Sequence, residues 1–115
     1  MELVDILKAL ADETRLRILN VLRQETLCVC DLENMLKLSQ SNASRHLTKL
    51  RHCRLIIAEK QAQWVYYRLD DQTIQNHPFL RQLLDQELDK NPKCRKDLMR
   101  LTKDRDARGN CETGC

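Results

Sequence analysis

Two cysteines separated by one residue, Cys28 and Cys30, are the groups of this chain best suited to ligand chemistry. Thiolates select soft ions such as As(III), Sb(III), Cd(II) and Pb(II), and they also bind Zn(II). Side chains two positions apart point the same way in an extended segment but lie about 200° apart on a regular helix. We therefore expect that one ion can bind both sulfurs only if the local backbone leaves the helical conformation.

Further residues of the chain offer a third ligand to this pair. As(III) favours three sulfurs and the pair supplies two, whereas a carboxylate oxygen suits Cd(II) or Zn(II) better. The candidates for the third position are Glu33, Cys53, Cys94, Cys111 and Cys115. The sequence leaves the choice among them, and hence the identity of the ion, open.

The six cysteines also bear on the cellular setting. The acidic, amphipathic start of the chain is unlike a secretory signal, and no apolar run is long enough to cross a bilayer. We therefore expect a cytoplasmic protein with no membrane partner, in which cysteines serve metal or redox chemistry rather than a disulfide framework.

Redox sensing, in which Cys28 or Cys30 forms a disulfide with another cysteine, is an alternative to ion binding. A thiol oxidoreductase is a remote one, because a Cys-x-x-Cys at a helix start and a parallel-sheet pattern are both missing.

Positive charge is concentrated in the middle of the chain. The formal net charge is +3, yet residues 39–68 alone carry six basic side chains against one acidic side chain, which gives +5. Residues 1–38 carry five basic against seven acidic side chains, and residues 69–115 balance nine against nine. Such a patch is the electrostatic footprint of a DNA-binding face, although a solvated basic surface would look the same.

Hydrophobic periodicity predicts helices on either side of one strand pair. The first helix is predicted over residues 2–11, and a second follows the N-cap Asp12 to about Arg23. Leu32, Met35 and Leu36 mark a short third helix. Ser39 or Ser41 caps a fourth, which we call the reading helix, to about Arg51. Residues 56–60 and 64–69 are predicted to form a β-hairpin.

The C-terminal half is predicted to be helical up to a flexible tail. Pro78 suits the first turn of a fifth helix, which Asn91-Pro92 ends before another helix to about Lys103. We expect residues 1–103 to form one DNA-binding and dimerisation domain, and residues 104–115 to be a flexible tail. The order helix, helix, short helix, reading helix, hairpin is that of a mainly α winged helix-turn-helix with a small β-hairpin wing.

The start of the reading helix and the tip of the hairpin carry the side chains suited to DNA. N-terminal residues of a recognition helix meet base edges, where Asn or Gln can pair with adenine and Arg with guanine. The residues predicted to contact DNA are Gln40, Ser41, Asn42, Ser44, Arg45, His46 and Lys49 on the helix, and Lys60, Gln61 and Gln63 on the hairpin. The side of the helix opposite Ala43, Leu47 and Leu50 is predicted to present Ser41, Ser44, Arg45 and His46.

The segment 27–69 closely resembles the arsenical-resistance repressor (ArsR/SmtB) family. The resemblance extends over roughly residues 5–90, and it is carried by Leu27-Cys-Val-Cys-Asp-Leu32, Ser39-Gln-Ser, Ser44-Arg-His-Leu47, Leu50-Arg51, Trp64-Val-Tyr-Tyr-Arg-Leu69 and Leu10-Ala-Asp-Glu-Thr-Arg-Leu-Arg-Ile-Leu19. It implies a homodimeric repressor that binds double-stranded operator DNA and releases it when As(III) or Sb(III), or another thiophilic ion, binds Cys28 and Cys30.

The chain departs from the family pattern at three positions. Glu33 stands where arsenic-sensing members usually have a third cysteine, which leaves Cd(II), Pb(II) and Zn(II) as alternative inducers. Ala62 replaces the usual glycine of the wing turn, and Arg54 replaces a glycine after the reading helix. The last two changes are local and leave the predicted fold unaltered.

Overall fold

The computed structural model describes residues 3–108, with side chains described for residues 3–103. It is mainly helical, with one small antiparallel sheet, which confirms the predicted fold class. In chain order the elements are α1 Leu3–Leu10, α2 Glu13–Leu22, β1 Leu27–Cys28, α3 Val29–Leu36, α4 Gln40–His52, β2 Ile56–Gln61, β3 Trp64–Leu69, α5 Asp71–Asn76, α6 Pro78–Gln82, a π-helical turn Leu83–Glu87, a 3₁₀ turn Leu88–Lys90 and α7 Pro92–Arg108.

Side-chain caps fix where the helices begin. The Asp12 carboxylate accepts a hydrogen bond from the Arg15 amide at 3.0 Å, and the Ser39 hydroxyl accepts one from the Asn42 amide at 3.2 Å. Each cap satisfies one backbone N–H group that the first turn leaves without a partner. Pro78 occupies the first turn of α6, as predicted. The start of the reading helix α4 is therefore fixed by Ser39 rather than Ser41.

The sheet has three strands in the order β1–β3–β2, so the predicted hairpin is only part of it. Strands β2 and β3 pair from Ile56 opposite Leu69 to Gln61 opposite Trp64. The two-residue strand β1 joins the other edge of β3, with Cys28 opposite Tyr66. This third strand was not predicted, and it connects the cysteine pair directly to the wing.

The C-terminal half differs from the prediction in three places. Helix α5 fills the segment before Pro78, capped by Asp70, whose carboxylate accepts from the Gln72 and Thr73 amides. After Gln82 the predicted fifth helix is irregular. It first widens into the π-helical turn Leu83–Glu87 and then tightens into the 3₁₀ turn Leu88–Lys90. Helix α7 continues to Arg108, so its predicted end near Lys103 was wrong and the first part of the predicted tail is helical. Residues 109–115 lie outside the described part of the chain.

One hydrophobic core joins α1, α2, α3, α4, the sheet and the C-terminal helices. Leu32, Met35 and Leu36 of α3 share it with Leu47 and Leu50 of α4, and all five are buried. None of the helices in the described part of the chain combines the length and the apolar character that a membrane crossing requires.

Two positions where the family usually has glycine adopt positive φ angles in this chain. Ala62, the first residue of the two-residue wing turn, has φ 56°, and Arg54, just after α4, has φ 60°. A side chain with a Cβ atom costs roughly 1–2 kcal/mol in the left-handed region. Glycine is preferred at such positions because it has no Cβ atom.

Replacing Ala62 with glycine should therefore stabilise the protein by up to about 1 kcal/mol, since relief of the left-handed strain exceeds the entropy that glycine loses on folding. Ala58→Gly, in the regular part of β2, is the matched control, and it should destabilise by about 0.5–1 kcal/mol. Urea midpoints at one protein concentration measure both effects. A loss of stability in Ala62→Gly equal to that in Ala58→Gly would contradict the strain.

Candidate DNA-reading face and thiol site

The first turns of α4 present a row of exposed polar side chains. Gln40 and Ser41 are exposed, as is Ser44, whereas Ala43 on the inner side is buried. The Arg45 guanidinium donates to Asn42 Oδ1 at 2.9 Å, which holds the two side chains together on this face. Lys49 lies further along the helix and is also exposed. The row has the donors and acceptors needed to read base edges in a major groove.

The wing tip adds a second group of exposed polar residues. Lys60, Gln61 and Gln63 are all exposed around the turn that joins β2 to β3. Behind them, Arg68 of β3 donates to the Glu59 carboxylate at 2.6 Å across the two strands. That pair neutralises one arginine of the basic segment, so Lys60 is the cation that the wing tip presents.

His46 does not belong to the exposed row, and its predicted outward orientation was wrong. Its side chain is only 7% exposed and faces α2, where Nδ1 lies 3.2 Å from Arg15 Nη1 and 4.0 Å from Asp12 Oδ1. A guanidinium can only donate, so Nδ1 must be the unprotonated acceptor. His46 therefore attaches the reading helix to α2 and is removed from the set of DNA contacts.

Arg15 is the residue of this region that the sequence did not single out. Its Nε donates to the Ala9 carbonyl at 2.6 Å, its Nη2 donates to the Lys8 carbonyl at 3.3 Å, and its Nη1 reaches His46. One side chain thus connects the end of α1, the start of α2 and the middle of α4. No periodicity or spacing indicates such a role, because the connection depends on tertiary packing.

Burial makes protonation of His46 unfavourable. Burial lowers the pKa of His46 below its ordinary value of 6.5, and the cationic Arg15 acts in the same direction, while the Asp12 carboxylate opposes both. Below pH 6.5 the unfolded chain therefore binds a proton at this position more readily than the folded chain does.

Stability should consequently decrease as the pH falls below 6.5, and the His46 contribution should be constant above that pH. Replacing His46 with glutamine, which cannot be charged, should flatten the fall of the urea midpoint between pH 7 and pH 5. His52→Gln, at an exposed position of the same helix, is the control and should keep the wild-type profile. Identical profiles for all three proteins would contradict this assignment.

The cysteine pair lies at the junction of β1 and α3. Cys28 ends the strand and occupies the N-cap position of α3 in an extended conformation, with 1% of its surface exposed. Cys30 lies inside the first turn and is half-buried. Only one of the two is therefore within the helix, and the other is already extended.

Both sulfurs are disulfide-bonded in the structure, so it describes the oxidised form of Cys28 and Cys30. Thiolates, not disulfide sulfurs, bind soft ions. Reduction must therefore come before any metal or metalloid binding at these two residues.

The residues considered for a third ligand are distributed over the fold. Glu33 is half-buried one turn after Cys30 on α3. Cys53 is buried at the end of α4, where its Sγ lies 3.6 Å from the Leu50 carbonyl. Cys94 is buried in α7, and burial followed by the nearby Asp97 raises its pKa to about 11, which keeps it protonated.

The described residues contain no group of three or more His, Cys, Asp or Glu side chains placed to hold a metal ion. Glu33, Cys53 and Cys94 are thus not grouped with the pair within this part of the chain. Cys111 and Cys115 lie outside the described residues.

Helix α3 couples the cysteine pair to the reading helix. Its buried side chains pack against α4, and the turn between the two helices passes through Lys37 with φ 57°. At the end of α3, the Met35 carbonyl accepts a hydrogen bond of 2.6 Å from Arg100 of α7. A change at the start of α3 would therefore be transmitted through packed side chains to α4.

Comparison with known proteins agrees with this fold. A family model described as "Bacterial regulatory protein, arsR family" matches residues 12–58. The Arsenic resistance transcriptional regulator ArsR1 of Pseudomonas putida is 43% identical over 81 residues, which cover 70% of this chain and 58% of that protein. The Arsenical resistance operon repressor of Escherichia coli is 49% identical over 67 residues, or 57% of each protein. The chain therefore matches less than two thirds of the length of these two relatives.

Among solved structures, HlyU from Vibrio cholerae is similar with a TM-score of 0.61 and 40% identity, covering 71% of this chain and 89% of that one. The three-stranded wing behind a reading helix defines a winged helix-turn-helix protein. The chain belongs to the arsR family of bacterial regulatory proteins. The resemblance inferred from the motifs is thus confirmed, and so is the regulatory class over the enzymatic alternative.

Proposed function

We propose that this protein is a transcriptional repressor that binds operator DNA as a homodimer and releases it when As(III) or Sb(III) binds Cys28 and Cys30. Because its target is DNA in a bacterial cell, we expect it to work in the cytoplasm. The observation that carries the proposal is the position of Cys28, which occupies the N-cap position of α3 and pairs through its backbone with Tyr66 of the wing strand β3. Cys28 is thus joined to the wing and to the helix that packs against the reading helix α4.

The homodimer is supported by apolar side chains that a single chain leaves exposed. Leu3, Val4 and Leu7 of α1 are 51%, 56% and 47% exposed, and Phe79 of α6 is 38% exposed. Clustered exposed apolar residues mark an interaction surface. Two copies related by a two-fold axis would bury these residues and place two reading helices on successive major grooves.

Operator recognition depends on the exposed row of α4. If Arg45 contacts a base edge, Arg45→Ala should lose about 1–3 kcal/mol of discrimination between operator and random DNA. Lys60→Ala at the wing tip is the control for charge, and it should weaken binding to both DNAs alike and reduce the salt dependence. Fluorescence anisotropy with the two duplexes at several salt concentrations measures both. An equal loss on both DNAs for Arg45→Ala would assign that arginine to the phosphate backbone.

Release follows from the geometry that a bound ion imposes on residues 28–30. Arsenous acid condenses with thiols to form As–S bonds, and water leaves for each bond formed. The ion then sets the positions of both sulfurs, so the first turn of α3 has to adjust to it. That change moves the packed face of α3 against α4 and misplaces the DNA contacts, without any long-range pathway.

The choice of As(III) or Sb(III) rests on the two thiols. The identity of the third ligand decides between these ions and divalent ones. A third sulfur would have to come from Cys111, Cys115 or a partner molecule, whereas Glu33 offers an oxygen one turn away. An oxygen ligand would favour Cd(II), Pb(II) or Zn(II) instead.

The proposal is tested by titrating the reduced protein on an operator duplex with arsenite, antimonite, Cd(II), Pb(II) and Zn(II), following anisotropy. Release at the lowest concentration of arsenite or antimonite is the expected result. Release by Cd(II), Pb(II) or Zn(II) alone would transfer the assignment to a divalent sensor. Absence of release with any of the five ions would overturn ion sensing.

A second candidate function is redox sensing by the same cysteines, favoured by their disulfide-bonded state in the structure. Oxidation would then release DNA without any ion. Titration with oxidised glutathione under metal-free conditions, with a chelator present, distinguishes the two. Release that dithiothreitol reverses would support the redox sensor, and retained binding would leave ion sensing as the function.

A further inference from the structure

A cavity of about 320 Å³ opens between α1, α2 and the C-terminal half of α4, and none of its lining residues belongs to α3 or the sheet. Asp5, Lys8 and Arg15 line one side, and Lys49 and His52 line the other. Its volume is at the small end of the roughly 300–1,000 Å³ range of small-molecule sites. The cavity is therefore large enough for an oxyanion and the group that carries it.

The charges around the cavity favour an anion. Lys8, Arg15 and Lys49 are cationic and Asp5 is anionic, so the wall carries a charge of +2 when His52 is neutral. Among the described residues, neither Lys8 nor Lys49 forms an ion pair. Two ammonium groups are thus available to a ligand from opposite sides of the opening.

Arg15 adds a cation whose position is already fixed. Hydrogen bonds to the Ala9 and Lys8 carbonyls and an ion pair of 3.9 Å with the Asp12 carboxylate hold its guanidinium at the cavity wall, and its side chain is only 12% exposed. Binding to a preorganised group costs less side-chain entropy than binding to a mobile one. The hydroxyl of Thr48, also in the wall, can donate a further hydrogen bond to an oxyanion.

The cavity borders the surface proposed for dimerisation. With about 3.6 residues per turn, Asp5 and Ala9 lie on the side of α1 opposite Leu7, whereas Lys8 lies one turn after Val4 on the same side of the helix. Leu7 consequently faces away from the cavity, and Val4 lies at its edge.

We propose that this cavity binds an oxyanion of the phosphate class, carried either by the DNA backbone or by a small phosphorylated molecule. The site needs neither the cysteine pair nor an inducer, so it goes beyond the repressor function proposed above. It joins α1 to the reading helix, and an anion bridging Lys8 and Lys49 would strengthen that connection.

Titration of the full-length reduced protein with inorganic phosphate and with pyrophosphate, at constant ionic strength, tests the site. Amide NMR shifts should saturate and concentrate in residues 5–9 and 48–53. Lys8→Ala combined with Lys49→Ala should weaken binding by at least about tenfold, because hydrogen bonds to charged groups are each worth about that factor or more. Lys96→Ala on α7, which removes an exposed lysine elsewhere, is the control and should bind like wild type.

DNA binding identifies the source of the anion. If the backbone supplies it, phosphate will compete with the duplex, and Lys8→Ala alone, which keeps Lys49 of the reading helix, will lower the slope of log affinity against log salt by about 1. If a small molecule supplies it, phosphate will not compete and Lys8→Ala will keep the wild-type slope, while the NMR titration still saturates. Shifts that do not saturate, or equal affinities in the double variant and Lys96→Ala, would overturn the site.

Discussion

Replacing Cys28 or Cys30 with serine should leave operator binding close to wild type and raise the arsenite concentration needed for release by about 100-fold or more. The second bond of a chelate is intramolecular, and losing it removes the gain in effective concentration. A serine hydroxyl is a poor ligand for a soft ion although it preserves the size of the side chain. The readout is anisotropy of a labelled operator duplex under reducing conditions.

Burial of Cys28 requires a second variant at that position. A serine hydroxyl in a site that is 1% exposed needs a hydrogen-bond partner, so Cys28→Ala guards against simple destabilisation. Cys53→Ala and Cys94→Ala, at buried cysteines away from the pair, are the matched controls and should respond like wild type. A wild-type arsenite response in either pair variant would place the inducer site elsewhere in the chain.

Replacing Leu7 with glutamate should convert the dimer to a monomer and weaken operator binding by about 100-fold or more, since two linked half-sites bind far more tightly than one. Leu7 is 47% exposed, so the charge can be accommodated in a folded monomer but not in a buried apolar interface. Sedimentation velocity reports the assembly state, and anisotropy reports the DNA affinity.

A glutamate introduced away from the exposed apolar face of α1 is the control for Leu7→Glu. Gln75→Glu changes an exposed residue of α5 and should keep the dimer and its DNA affinity. Circular dichroism establishes that both variants are folded. A dimeric Leu7→Glu protein would exclude this face of α1 from the dimer interface, and the exposed Phe79 and the 73% exposed Met99 would remain to be tested.

The parts of the fold that the sequence predicts are those determined by neighbours along the chain. Asp12 and Ser39 cap the helices they precede, Pro78 starts α6, and β3 has its predicted bounds, because caps and alternation act over a few residues. Strand β1 has only two residues, and its existence depends on a partner about forty positions away, so no local pattern marks it.

The same distinction holds for the candidate site. The exposed row of α4 follows from helical periodicity, whereas the ligand roles of Cys28 and Cys30 rest on the affinity of thiolates for soft ions and on the motifs around them, and they stay a prediction. His46 lies one turn from the exposed Asn42 and one turn from the buried Leu50, so helical phase alone leaves its side undecided, and the tertiary contact with Arg15 places it inward. The third ligand cannot be predicted, since it depends on which distant residue or partner molecule reaches the pair.

Amide hydrogen exchange in α3 of the reduced, DNA-free dimer, with and without arsenite, tests most directly the claim that ion binding at the cysteine pair distorts this helix. In a regular helix the Glu33 and Asn34 amides donate to the Val29 and Cys30 carbonyls, so they report on the first turn. Arsenite binding should speed exchange at these two amides, with little change at the end of α7. Unchanged protection in α3 under conditions where arsenite still releases operator DNA would contradict the claim.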